Sequence, residues 1–289
     1  MRSSAVVLVA ALLACGMATV PGADDPPQEA DGAWFALDWS DYATTADLDG
    51  DPTGRVQARM VSGYGPDGRA DGEVVLETGL SGTPWGGSHG VRVTYYDRSV
   101  VPCSALHGPE VGVRLDFPRA TQDRPREIWY EVWVRFDRTW DTVFCDQPFP
   151  EQKFLSLYDD RYNRWNFMVG SAPERWIRAY IDNYDASGAR AINAAVPPSS
   201  ERYLDARTAL WDGQWHRIRY QARMGTGSGA LHVWIDDQKV FDQQGLTSMD
   251  GGAGWFAHLY LGSNLNQRPD QRQSVLFGPV RAWTADPGW

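Results

Sequence analysis

The chain of 289 residues is long enough for one large all-β or α/β domain, or for two small ones. Its 43% hydrophobic and 22% charged residues suit an ordinary buried core and exclude a disordered chain. The balance of 27 basic against 37 acidic side chains, a net −10, excludes a generally basic nucleic-acid surface, which needs clustered Lys and Arg.

Taken in chain order, the sequence begins with Arg2 and then an apolar run of ten residues, Ala5 to Ala14. That suits the core of a secretory signal and is short of the roughly 20 residues a membrane helix needs. Residues 1–23 are read as a signal peptide and residues 24–289 as a single exported domain. Leu12-Leu13-Ala14-Cys15 resembles a lipobox, which leaves open a lipid anchor on Cys15. No other stretch is long and apolar enough to span a bilayer. The expected location is secreted, periplasmic or cell-surface, and the expected state is a monomer. Asp47-Leu48-Asp49-Gly50-Asp51 offers hard oxygen ligands at alternate positions, as for a structural Ca²⁺, but Ala58 stands where an EF-hand loop needs a closing Glu. A solvated acidic turn is the favoured reading there. No metal or other cofactor is expected, since transition-metal spacings, phosphate loops, dinucleotide fingerprints and a G-x-S-x-G elbow are all missing from the sequence.

Beyond the signal the chain is a succession of strand patterns. Fourteen tryptophans, 29 glycines and 18 prolines already favour an all-β protein with aromatic surface. Period-two alternation marks Val74–Glu77, Gly90–Tyr96, Val111–Phe117 and Glu127–Asp137, then Lys153–Tyr158, Trp165–Val169 and Trp176–Asp182. Gln214–Arg223, Ala230–Ile235, Trp255–Leu261 and Ser274–Trp283 follow, separated by turn signals such as GYGPDG and MGTGSG. Ser199 to Arg207 is the one short helix candidate. Many strands with almost no helix predict a two-sheet sandwich. Val111–Phe117 and Glu127–Asp137, joined by ATQDRPR, are expected to pair as a β-hairpin. That pairing puts Arg114 opposite Trp129 to Trp133, near Glu131. Cys103 and Cys145 then flank the open end of the hairpin, and a disulfide between them is expected in an exported protein. Closing the 41 intervening residues stabilises the fold by about 3–4 kcal/mol on the chain-entropy model.

The segment DGQWHRIRYQARMGTGSGALHVWIDDQKVFDQ resembles the concanavalin A-like jelly roll, in which a G-x-W-H strand precedes a W-x-D-G-x-x-V hairpin. Asp237 stands here where that hairpin has Gly. GGSHGVRVTYYD, GPEVGVRLDF, EIWYEVWVRF, QKFLSLYDD and LFGPVRAW extend the likeness. Together they resemble the secreted polysaccharide lyases of the heparin lyase I and glucuronan lyase type, over roughly residues 85–285, about two thirds of the chain. The QIH motif of jelly-roll alginate lyases is not found. The resemblance implies an all-β, two-sheet jelly-roll sandwich whose curved sheet holds a polysaccharide groove, and cleavage of a uronic-acid polymer by β-elimination.

Such a reaction needs a group to neutralise the C5 carboxylate, a base for the C5 proton and an acid for the leaving O4. His258 and Tyr260 share a strand face and are the candidate proton carriers, with Asn264 at the strand end as a substrate contact. Arg114 and Gln152 are candidate carboxylate binders. Lys153, one of only two lysines, is the reserve, because a cation on an apolar strand is costly unless it is paired or functional. Strict alternation puts Gln152, Phe154, Ser156 and Tyr158 on one face and Lys153, Leu155 and Leu157 on the other, so that only one set can face a groove. Trp129, Glu131 and Trp133 are candidate substrate-binding residues, since indoles stack on sugar rings. Two other readings stand beside the lyase. One is a lectin-like binding domain without chemistry. The other is a laminarinase-type hydrolase, suggested by the E-x-x-x-E spacing of Glu127 and Glu131, although Trp129 replaces that motif's middle acid.

Overall fold

The computed structural model describes residues 32–48, 57–62, 72–97, 111–117, 125–138, 140, 151–160, 164–170, 176–184, 190–191, 204–205, 209–246, 254–262 and 271–289. The chain is almost entirely β and forms two antiparallel sheets packed as a sandwich, as the jelly-roll reading expects. The first sheet comprises β1 (Phe35–Leu37), β3 (Gly72–Glu77), β4 (Gly90–Tyr95), β6 (Glu127–Phe136), β12 (His216–Arg223), β13 (Gly229–Ile235), β14 (Gln238–Leu246) and β16 (Gln273–Trp283). Its order is β14-β13-β12-β6-β16-β4-β3, with β1 beside β16. The second sheet comprises β2 (Gln57–Ser62), β5 (Val111–Asp116), β7 (Glu151–Asp159), β8 (Arg164–Gly170), β9 (Trp176–Tyr184), β10 (Arg190–Ala191), β11 (Leu204–Asp205) and β15 (Phe256–Leu261). Its order is β10-β9-β8-β7-β15-β5-β2, with β11 beside β9.

Alternation does the folding work. On β6, Ile128, Tyr130, Val132, Val134 and Phe136 are fully buried and face the second sheet. Val113, Leu115, Leu155, Leu157, Leu259 and Leu261 answer them from β5, β7 and β15. Each such side chain contributes about 1.5–3 kcal/mol when taken from water into the core. Phe136 meets Phe154 edge-on across the sandwich at 5.3 Å, and Phe35 meets Phe117 in the same way at 5.3 Å.

The expected hairpin does not form. β5 pairs with β2 and β15 in the second sheet, whereas β6 pairs with β12 and β16 in the first. Arg114 is therefore on the opposite sheet from Trp129, Glu131 and Trp133. Two consecutive alternating strands bury one face each whether they pair or cross between sheets, so the pattern does not distinguish the two. Here the crossing sets their apolar faces against each other. The residues flanking β5 and β6 instead bond to β15, with Phe117 N–H donating to Ala257 O and Phe256 N–H to Pro125 O. Cys103 and Cys145 lie outside the described residues, as do Cys15, the whole signal segment and Asn264. In the helix candidate Ser199 to Arg207, Leu204 and Asp205 form instead a short strand against β9.

Two local features are decisive. The β13–β14 hairpin turns on Asp236 and Asp237, both in the left-handed region at φ 47° and 67°, the geometry of a two-residue type I′ turn. Asp236 accepts from Arg217 N–H at 2.8 Å and Asp237 takes Arg217 Nη2 at 2.7 Å, contacts that offset the cost of a Cβ there. In β7 the register shifts between Lys153 and Leu155, so that Phe154 and Leu155 both enter the core.

Candidate functional site

The outer face of the second sheet gathers the chemistry. Its core face takes Leu115, Leu259 and Leu157, which lie side by side on β5, β15 and β7. The residues between them must point away. One row across the sheet is therefore Arg114, Tyr260, Ser156, and the next is Asp116, His258, Tyr158. The His258 and Tyr158 rings stack at 4.7 Å and 18°. Tyr260 lies 5.2 Å from Tyr158 and 5.4 Å from His258, between ring centroids.

Arg114 donates from Nε to Asp116 Oδ1 at 2.7 Å, and its Nη2 is 2.6 Å from the same oxygen. Burial works against the guanidinium charge, but the Asp116 carboxylate and the Tyr260 hydroxyl outweigh it and raise the Arg114 pKa. The cation is thus secure and fixed in direction. Its side chain keeps 26% exposure, while His258 keeps 5%. The accessible edge of the cluster is Arg114 with Tyr260.

The shift in β7 resolves the parity of Lys153. Lys153 stands opposite Met168 and Ser156 opposite Asn166, two steps apart on β8. Lys153 therefore shares the outer face with Ser156 and Tyr158, and the expectation that only one of the two sets could do so fails. It is 6% exposed. Gln152 is on the same strand, opposite Val169. Arg114, Lys153, His258 and Tyr260 are thus on one face of three adjacent strands. Asp116, Ser156 and Tyr158 join them there without having been singled out. Parity alone placed Asp116 with Arg114 and Tyr158 with Ser156; what the sequence lacked was the pairing of their strands.

Trp129, Glu131 and Trp133 are on the other side of the sandwich, on the outer face of the first sheet. Glu131 pairs with Arg219, whose Nε is 2.9 Å away, and Arg219 in turn reaches Asp237 at 2.6 Å. Trp133 lies 6.1 Å from Trp85 between ring centroids, with Arg217 over its ring at 5.5 Å. Glu127 accepts from Gln221 on β12. The two carboxylates of the E-x-x-x-E spacing are therefore engaged within the first sheet, far from His258 and Tyr260. No group of His, Cys, Asp and Glu suited to a metal occurs among the described residues, and no described helix is long and apolar enough to cross a membrane.

No protein-family model and no curated protein matches the sequence. Solved structures do match. An alginate lyase, vAL-1 from a Chlorella virus, superposes with a TM-score of 0.54 over 87% of this chain and 99% of its own, at 11% identity. An endo-β-1,4-glucuronan lyase from the fungus Trichoderma reesei gives 0.51 over 75% of this chain and 90% of its own, at 15% identity. The alginate lyase Aly36B, as a mutant in complex with an alginate tetrasaccharide, gives 0.50 over 86% and 96%, at 12% identity. The chain shares its fold with polysaccharide lyases.

Proposed function

We propose that this protein is an exported polysaccharide lyase acting on a uronic-acid-containing polymer by β-elimination. The observation that carries the reading is the meeting of Arg114, Tyr260 and His258 on adjacent strands of one sheet face. The fold shared with alginate and glucuronan lyases supports it.

In this mechanism Arg114, oriented by Asp116, binds the C5 carboxylate of the uronate and withdraws charge as the C5 proton leaves. Lys153, on the same outer face of β7, the strand beyond β15, assists at the same group. His258, beside Tyr260, takes the C5 proton. The electron pair forms the C4–C5 double bond, the C4–O4 bond breaks, and Tyr260 gives its proton to O4. One new reducing end and one unsaturated uronate result, with no water consumed.

The test is ultraviolet absorbance of the unsaturated product, with glucuronan, alginate, heparin-type chains and pectin as substrates. Tyr260→Phe is expected to lower turnover on the accepted polymer by about 10²–10⁴-fold, with the melting temperature and substrate binding close to wild type. Wild-type rates in both Tyr260→Phe and His258→Ala would overturn the assignment. Retention of these polymers without product would identify a binding domain instead. Reducing ends without absorbance would identify a hydrolase.

A further inference from the structure

We propose that the outer face of the first sheet carries a second carbohydrate site, built by Trp129, Trp234 and Trp289 and shaped for the neutral pyranose rings of a polysaccharide. It is on the opposite side of the sandwich from Arg114 and Tyr260, and it stands whether or not the lyase reading does.

A cavity of about 510 Å³ opens on this face, lined by Trp129 of β6, Gln221 of β12, His232 and Trp234 of β13, Lys239 of β14, and Trp289. That is within the ~300–1,000 Å³ of ordinary small-ligand sites. Trp129 and Trp234 stack at 6.1 Å and 27°, and Trp289 stands nearly perpendicular to both, at 5.2 and 5.5 Å. Indoles held at two orientations form an apolar corner. Their electron-rich faces attract polarised C–H groups, which a sugar ring presents on one side while its hydroxyls point outward.

Two polar atoms of the lining residues are buried without a hydrogen-bond partner. His232 is 9% exposed, and its Nε2 has no hydrogen-bond partner although Asp242 Oδ1 lies 3.3 Å away. Trp289 Nε1 is buried and also without a partner.

The charged groups lining the cavity balance. Glu127 and Asp286 line the cavity with Arg223 and Lys239, two of each sign. Arg223 donates from Nε to Ser228 O at 3.0 Å, and Lys239 sits 3.7 Å from Asp242 and over the Trp234 ring at 5.1 Å. Burial lowers the His232 pKa, with Asp242 opposing and Lys239 and Arg223 adding to the shift. Both cations are held by protein partners. With two charges of each sign the lining offers a uronate no net positive field, and a neutral glycan needs none.

The test is affinity electrophoresis and calorimetry of the full-length protein with cellohexaose, laminarihexaose, xylohexaose and mannohexaose, and with oligoglucuronate and oligoalginate. At least one neutral hexasaccharide is expected to bind. Trp234→Ala is expected to weaken that binding at least tenfold, and Tyr260→Phe to leave it unchanged. Should Trp234→Ala melt early, Trp289→Ala removes a wall without touching a strand. The proposal fails if none of the four neutral hexasaccharides binds, if both tryptophan variants bind as wild type, or if only the acidic oligosaccharides bind and Tyr260→Phe or Arg114→Ala abolishes it. Because binding and elimination are read separately, loss of one function leaves the other measurable.

Discussion

Arg114 shows how much a single side chain depends on its neighbours. Its Nε and Nη2 both converge on one oxygen of Asp116, and Tyr260 approaches from the next strand. A guanidinium can hold that carboxylate and still present N–H groups to a second one, because its donors form a planar fork; an ammonium is a point charge that serves one partner at a time. Arg114→Lys is therefore expected to raise KM for a uronate polymer by at least about tenfold, with the melting temperature little changed. Steady-state kinetics beside a thermal melt checks this, and an unchanged KM would remove Arg114 from carboxylate binding. At this scale the alternation of His258 with Tyr260, and of Arg114 with Asp116, was readable directly. The side on which Lys153 emerges was not, because the shift in β7 depends on Phe154 finding room in the core against Phe136.

At the scale of elements, the β12–β13–β14 meander is tied together by His216. Its Nδ1 is 2.7 Å from Asp236 Oδ2 in the β13–β14 turn, and its Nε2 is 3.0 Å from Asp212 Oδ1 just before β12. Burial would lower the His216 pKa, but the hydrogen bonds and charges of Asp236 and Asp212 prevail and raise it. Asp212 is shifted down: burial opposes its charge, and the Gln214 N–H and His216 outweigh burial. A raised imidazole pKa stabilises the fold fully below the unfolded value of about 6.5, and the contribution is lost as pH climbs through the folded value. A lowered carboxylate pKa stabilises above its unfolded value and is lost as pH falls through the folded one. The network is thus strongest in mild acid. His216→Gln is expected to depress the melting temperature most near pH 5 and least near pH 8. A penalty that grew with pH would contradict the charged His216 inferred here. The W-H strand and the IDD turn were both visible in the sequence; their joining through one imidazole needed the fold.

Across the whole molecule, the sandwich separates two chemically different faces by a single apolar layer. Arg114, Lys153, His258 and Tyr260 belong to one face, and the stacked tryptophans Trp129 and Trp234 to the other. Phe136 and Phe154 join the sheets between them. Phe136→Ala removes a fully buried ring and is expected to cost about 3–5 kcal/mol. Denaturant unfolding should register this as a lower midpoint, with glycan binding retained at temperatures where the variant stays folded. A loss below about 1 kcal/mol would mean that the layer does not hold the sheets together as described.

The amino-acid sequence by itself determined where the strands run and which residues share a strand face. Period-two burial is local: it requires only that one side of each strand avoid water, and His258 with Tyr260 or Ile128 with Tyr130 satisfy that wherever the strand is placed. Only the tertiary structure decided which sheet each strand joins. An alternating strand buries its apolar side equally well in either sheet, so the choice rests on how the layers pack. That choice moved Arg114 away from Trp129 and Trp133 and set it beside Tyr260. It also left Trp129 of β6 to meet Trp234 and Trp289 on a face of their own.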